Sequence, residues 1–189
     1  LERGEWVMNR ERLSREYMNE LAAKFDPKGF DADAICQLAV EAGMTYVNLT
    51  TMHHEGFRLY DTRLSDFNSM QTCGRDLVAE LIDAAQKYDL KVCLYHSQNN
   101  WYDQPDAVAA LENKEDYDTF IAATHARFVE LAQLFPDVEC IWYDGWWPFN
   151  ADGWKAQELN DKLKAINPKL FFNGRNGLAG DFGTPEGHM

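Results

Sequence analysis

Cys140-Ile141-Trp142-Tyr143-Asp144-Gly145-Trp146-Trp147 begins as a short apolar run of strand character and ends in an acid, a glycine and two indoles. Side chains two apart in a strand share a face. Asp144 therefore points the same way as Trp142 and Cys140, so a carboxylate stands at the rim of an apolar, aromatic interior. In parallel α/β folds the C-terminal ends of the strands are where ligands bind and chemistry is done. An isolated Asp-Gly is also a common turn pair. The surrounding tryptophans favour a site, because Trp is scarce and costly to expose.

On either side of this stretch, strand-like and helix-like segments alternate. Ser14 to Phe25 has helical spacing at Tyr17, Leu21, Ala22 and Phe25. Asp31 is placed to cap a second helix, whose expected apolar face is Ile35, Leu38, Ala39 and Ala42, with Gly43 just past its end. Tyr46 to Thr51 reads as a strand, followed by His53-His54-Glu55-Gly56 and a loop holding Asp61, Asp66 and Asn68. Leu77, Val78, Leu81, Ile82 and Ala85 make the next helical stripe, and Lys91 to Tyr95 the next strand, ending at His96-Ser97. Tyr117, Phe120, Ile121, Thr124, Phe128 and Leu131 mark the clearest helix. After the strand that ends in Asp144 come a helix through Leu159, Leu163 and Ile166 and a last strand at Leu170 to Gly174. This is the βαβ pattern of a parallel sheet. The conspicuous polar residues, His53-His54, His96, Asp144 and Arg175, all follow strands. That is the arrangement of a TIM barrel, but a closed barrel needs eight strands and about 250 residues. The expected fold is an incomplete (β/α)8 barrel, one domain over 1–189.

With 46% hydrophobic residues among 189, the chain can bury one sizeable core. A formal net charge of -13 repels phosphate backbones and anionic headgroups, which argues against nucleic acid and membrane surfaces as partners. No apolar run approaches the roughly 20 residues of a membrane span. Cys36, Cys73, Cys93 and Cys140 form no C-x-x-C pair and read as free thiols rather than disulfides or zinc ligands. Neither H-x-x-x-H nor H-E-x-x-H occurs, and strand alternation would point His53 and His54 to opposite faces, so neither a metal nor a cofactor is expected.

The same segments, read together, resemble glycoside hydrolase family 29, the α-L-fucosidases. The resemblance rests on Gly4-Glu5-Trp6, Ala23-Lys24-Phe25-Asp26-Pro27, Leu49 to Phe57, Thr62 to Ser69, Arg75-Asp76-Leu77-Val78, Leu94-Tyr95-His96-Ser97, Ile141 to Gly145, Asn173-Gly174-Arg175 and Asp181 to Glu186, in the family's order. It implies a retaining glycosidase that releases L-fucose from a fucosylated glycan or simple α-fucoside. It aligns Asp144 with the nucleophile and Glu186 with the acid/base of part of the family. It places Glu5, Trp6, His53, His54, His96, Trp142 and Arg175 among the sugar-binding positions. In a retaining enzyme the two carboxyl groups stand about 5–5.5 Å apart.

The resemblance also places a first barrel strand before Leu1, and closing strands and a β-domain after Met189. An incomplete parallel sheet leaves strand edges and an apolar face uncovered, so self-association into a homo-oligomer is expected. A second reading is a fucose-binding or structural remnant without turnover. A third is a metal-dependent barrel hydrolase.

Overall fold

A computed structural model describes residues 4–103 and 109–186. A single 3-10 turn, Gly4–Trp6, leads into the short helix α1 (Val7–Arg10). Then follow α2 (Arg15–Ala22), α3 (Ala32–Glu41), β1 (Tyr46–Met52), α4 (Ser69–Cys73), α5 (Leu77–Lys87) and β2 (Lys91–Ser97). The chain continues through α6 (Lys114–Leu134), β3 (Cys140–Asp144), α7 (Ala156–Ile166) and β4 (Phe171–Phe172). Helix starts are set by side chains that accept an otherwise unpaired backbone N–H. Ser14 accepts from Tyr17, Asp31 from Ala34, Asp76 from Ala79 and Asn113 from Asp116.

The four strands are all parallel and lie in chain order β1-β2-β3-β4. One face of the sheet is covered by helices. Val78 and Leu81 of α5, Phe128 and Leu131 of α6, and Leu159 and Leu163 of α7 pack there against Leu94, Ile141 and Tyr143 of the strands. The other face is open. Tyr46, Asn48, Cys93, Cys140, Trp142, Phe171 and Phe182 line a trough of about 730 Å³ on it. A one-sided parallel sheet of this kind is an incomplete (β/α)8 barrel, with the would-be interior facing outward.

Two helical faces differ from the sequence expectation. In α3 the buried residues are Ala32, Cys36 and Ala39, while Ile35 and Leu38 are exposed. The small residues let α3 lie close on α5, which turns the larger apolar side chains outward. In α2, Met18 and Ala22 are buried, and Tyr17 and Leu21 are exposed. The loop expected around Asn68 contains α4, capped by the Asn68 side chain on Gln71 N–H and ended by Gly74 in the left-handed region. Cys36, Cys73, Cys93 and Cys140 are free. Among the described residues no helix is long and apolar enough to cross a membrane.

Candidate active site

The C-terminal ends of β1, β2 and β3 meet at Asp144, the last residue of β3. Its two oxygens are held separately. Oδ2 accepts the Tyr95 hydroxyl at 2.6 Å, and Oδ1 accepts Arg175 Nη1 at 2.8 Å. Burial alone would raise this carboxyl's pKa, but the Tyr95 hydroxyl, the Arg175 guanidinium, the Gly145 N–H and His54 together hold it below the usual carboxylate range. Asp144 is therefore an anion at neutral pH. The Tyr95 phenol is pushed far up by burial and by its bond to Asp144, so it remains a donor.

His53 and His54 reach this carboxylate because β1 ends irregularly. The β1–β2 register slips between Thr50 and Met52, a bulge at Thr51. The two histidines then lie beyond the strand, with ring centres 4.0 Å apart. His54 Nδ1 and Ser97 Oγ are 2.6 Å apart, and His54 Nε2 faces Asp144 Oδ2 at 3.9 Å. Burial, then the neighbouring His53 ring, push the His54 pKa down to about 3 against the pull of Asp144. Burial likewise lowers His53, opposed by Asp144 and Glu5. Both imidazoles are neutral, so they can donate to or accept from uncharged hydroxyls.

Gly145 makes this closeness possible. Its φ is +70°, and a Cβ there would lie 2.9 Å from Ser97 Oγ and 3.1 Å from His54 Cε1. Indoles wall the other side. Trp6 stacks on Trp147 at 5.0 Å, and both meet the edge of His54, at 5.6 and 5.1 Å. Trp101 lies 5.2 Å from the His54 ring.

Arg175, in the 3-10 turn Gly174–Asn176 after β4, links the two carboxylates singled out by sequence. Its Nη1 holds Asp144, and its Nη2 donates to Glu186 Oε2 at 2.9 Å. Asp144 and Glu186 thus stand within the span of one guanidinium. They differ in setting: the Asp144 side chain is 14% exposed and that of Glu186 81%. Arg175 and Glu186 also line an open depression of about 740 Å³ with Trp146, Phe182 and Thr184. Glu5 is exposed beside Trp6, close enough to act on His53. Trp142 faces the open trough, edge-on to Phe182 at 5.5 Å.

Two sequence expectations need correction. His96 is not at the site. It is fully buried on the helix side of β2, 2.9 Å from Thr51 Oγ1 and packed edge-on against Phe128. Its neighbour Tyr95, of opposite parity, occupies the site. Cys93, Tyr95 and Ser97 share the inner face, so alternation applied to β2 would have found it. The argument that His53 and His54 face apart also fails, because neither belongs to the strand. One donor atom each from His53, His54 and Asp144 lie within 4.8 Å of one another, a set that a divalent cation could use. Sequence reasoning also passed over Glu55. Burial raises its carboxyl to about 7, against backbone N–H groups of Glu55 and Phe57, and it sits 3.9 Å from His53 Nδ1.

Comparison with known proteins gives the family and the fold. The family model described as Alpha-L-fucosidase matches residues 5–186. A Dictyostelium discoideum alpha-L-fucosidase is 31% identical over 74% of this chain and 31% of its own length. A putative alpha-L-fucosidase of Caenorhabditis elegans is 31% identical over 90% of this chain and 36% of its own. The chain thus spans about a third of these relatives. Among solved structures, alpha-L-fucosidase isoenzyme 1 from Paenibacillus thiaminolyticus superposes with a TM-score of 0.85 at 29% identity, over 96% of this chain and 49% of that one. A family 29 enzyme from Bacteroides thetaiotaomicron, trapped as a covalent intermediate with 2-fluoro-fucosyl fluoride, gives 0.81 at 28% identity over 95% and 45%. By its matched length and its fold, this chain belongs to the alpha-L-fucosidase family.

Proposed function

We propose that this chain is the catalytic part of a retaining α-L-fucosidase, a single incomplete-barrel domain over 1–189 that releases L-fucose from a fucosylated glycan or simple α-fucoside. The observation that carries the reading is Asp144: an ionised carboxylate at the end of β3, fixed through both oxygens and facing neutral imidazoles. A fixed anion of this kind suits attack on an anomeric carbon.

In the first step Asp144 attacks the anomeric carbon, and an acid protonates the departing oxygen. Glu186 is the leading candidate for that acid and, in the second step, for the base that takes a proton from water. A protonated Glu186 forms no ion pair with Arg175, so acid catalysis by Glu186 requires that charge pairing to be given up, leaving at most a hydrogen bond from Arg175 to the neutral carboxyl. Arg175 then remains on Asp144. His53, His54 and Glu5 take sugar hydroxyls, and Trp6 and Trp142 offer apolar faces to the ring. The covalent intermediate trapped on the Bacteroides relative is the chemistry this scheme expects.

An aryl α-L-fucoside assay tests the reading, paired with calorimetry of L-fucose. Turnover that disappears in Asp144→Ala and partly returns with azide supports it. Fucose binding without turnover in the unsubstituted protein would select a binding remnant instead. In solution the isolated chain is proposed to self-associate through its open sheet face.

A further inference from the structure

Behind the site, on the helix side of β2, lies a second polar cluster that the glycosidase scheme does not use. Arg58, Tyr60, His96, Gln98 and Arg127 are each no more than 2% exposed. Short contacts tie them together. Arg127 Nη2 donates to the Gln98 carbonyl at 2.8 Å, the Tyr60 and His96 rings are 6.3 Å apart, and His96 packs on Phe128 of α6. Both guanidinium groups act electrostatically on His96 and on Tyr60.

Much of this cluster's hydrogen-bonding capacity meets no protein partner. Arg58 Nε, Arg127 Nε, both side-chain atoms of Gln98 and His96 Nε2 are buried and unpaired, and the Tyr60 hydroxyl is buried with no well-formed bond, its nearest polar neighbour being the Arg58 side chain. A buried polar atom left unpaired costs free energy, and in native proteins such atoms are nearly always satisfied. Donors outnumber acceptors here. The Arg58 and Arg127 Nε–H groups and the two Gln98 amide hydrogens donate, the Tyr60 hydroxyl can donate or accept, and Gln98 Oε1 and His96 Nε2 accept.

Charge leans in the same direction, because one carboxylate, Asp103, serves both guanidinium groups: it pairs with Arg58 and acts on Arg127 only from farther away. Arg58 is paired with Asp103. Arg127 has no carboxylate within ion-pair distance among the described residues; its contacts are the Gln98 carbonyl and Thr124 Oγ1. Glu130 approaches Tyr60 but is held by Thr62 Oγ1 at 2.6 Å and the Arg63 N–H at 2.8 Å. A buried guanidinium whose nearest counter-charge is engaged by another arginine is a costly feature for a core to hold.

We propose that this layer binds a small monovalent anion, chloride in ordinary solution, among Arg58 Nε, Arg127 Nε, the Tyr60 hydroxyl and the Gln98 amide. The anion accepts from all four donors and neutralises Arg127, which water cannot do. It would sit behind β2, whose alternate residues Tyr95 and Ser97 hold Asp144 and His54.

The test needs no substrate and so stands apart from the glycosidase reading. Thermal unfolding is followed as chloride or bromide replaces gluconate at constant ionic strength. The expected result is a saturable rise of a few degrees in Tm, absent in Arg127→Gln. Should that variant fail to fold, bromide-soaked crystals of the unsubstituted protein decide. An anomalous peak within hydrogen-bonding reach of Arg127 Nε supports the site. A Tm indifferent to halide, a halide effect that persists in Arg127→Gln, or water alone at that position would overturn it.

Discussion

Tyr95 shows most clearly how a single residue holds a buried carboxylate ionised. Its hydroxyl is the strongest of the groups that lower the Asp144 pKa against burial. Tyr95→Phe removes one bond to a charged acceptor and leaves the ring in place. The acid limb of kcat/KM should then move to higher pH, with kcat down about tenfold or more. An unchanged acid limb would contradict the assignment of Tyr95. Glu55 makes a separate prediction. Its folded pKa, about 7, lies above the unfolded carboxyl value. The native state therefore binds the extra proton, and stability is full below the unfolded pKa and falls as pH rises towards the folded one. Glu55→Gln should flatten this decline between about pH 4.5 and 7, worth at most about 3 kcal/mol and less because the side chain is 24% exposed. Urea unfolding across that range checks it; parallel curves for both proteins would sink the idea. Asp144 was legible in sequence because an acid and a glycine end an apolar run beneath three indoles. Tyr95 was as legible by parity, but family alignment pointed to the neighbouring His96. Glu55 could not be read, because its burial is created by the fold.

At the level of elements, the junction between β3 and its following loop must be tight. Gly145 lies against both Ser97 and His54 at a φ that favours glycine. Gly145→Ala should cost about 1–3 kcal/mol in denaturant unfolding and displace Ser97 from His54. Unfolding indistinguishable from the parent would show that the loop yields. Helix positions were readable from their apolar spacing and, for α3, from Asp31, which caps it; the caps Ser14, Asp76 and Asn113 emerge from the structure. Which face of α3 is buried was not, since Ile35 and Leu38 are more apolar than the Ala32, Cys36 and Ala39 face that packs. The bulge that carries His53 and His54 past β1 was also hidden, because nothing in Leu49-Thr50-Thr51-Met52 distinguishes a bulge from a regular pair.

For the whole molecule, four parallel strands covered on one side leave a trough of about 730 Å³ open on the other. Tyr46, Met44, Leu38 and Ile35 are exposed as well, at 60%, 56%, 66% and 41%. Apolar surface of this kind drives association. Sedimentation of the isolated chain should give species heavier than 21.8 kDa, and a clean monomer at micromolar concentration would contradict that. The central claim is narrower: Asp144 forms a glycosyl bond. It is tested most directly by intact-mass and peptide mass spectrometry after incubation with 2-fluoro-fucosyl fluoride, the reagent used on the Bacteroides relative. One fluorofucosyl adduct per chain, located on Asp144, is the predicted result. No adduct in folded protein, or an adduct on a different carboxylate, would contradict the account.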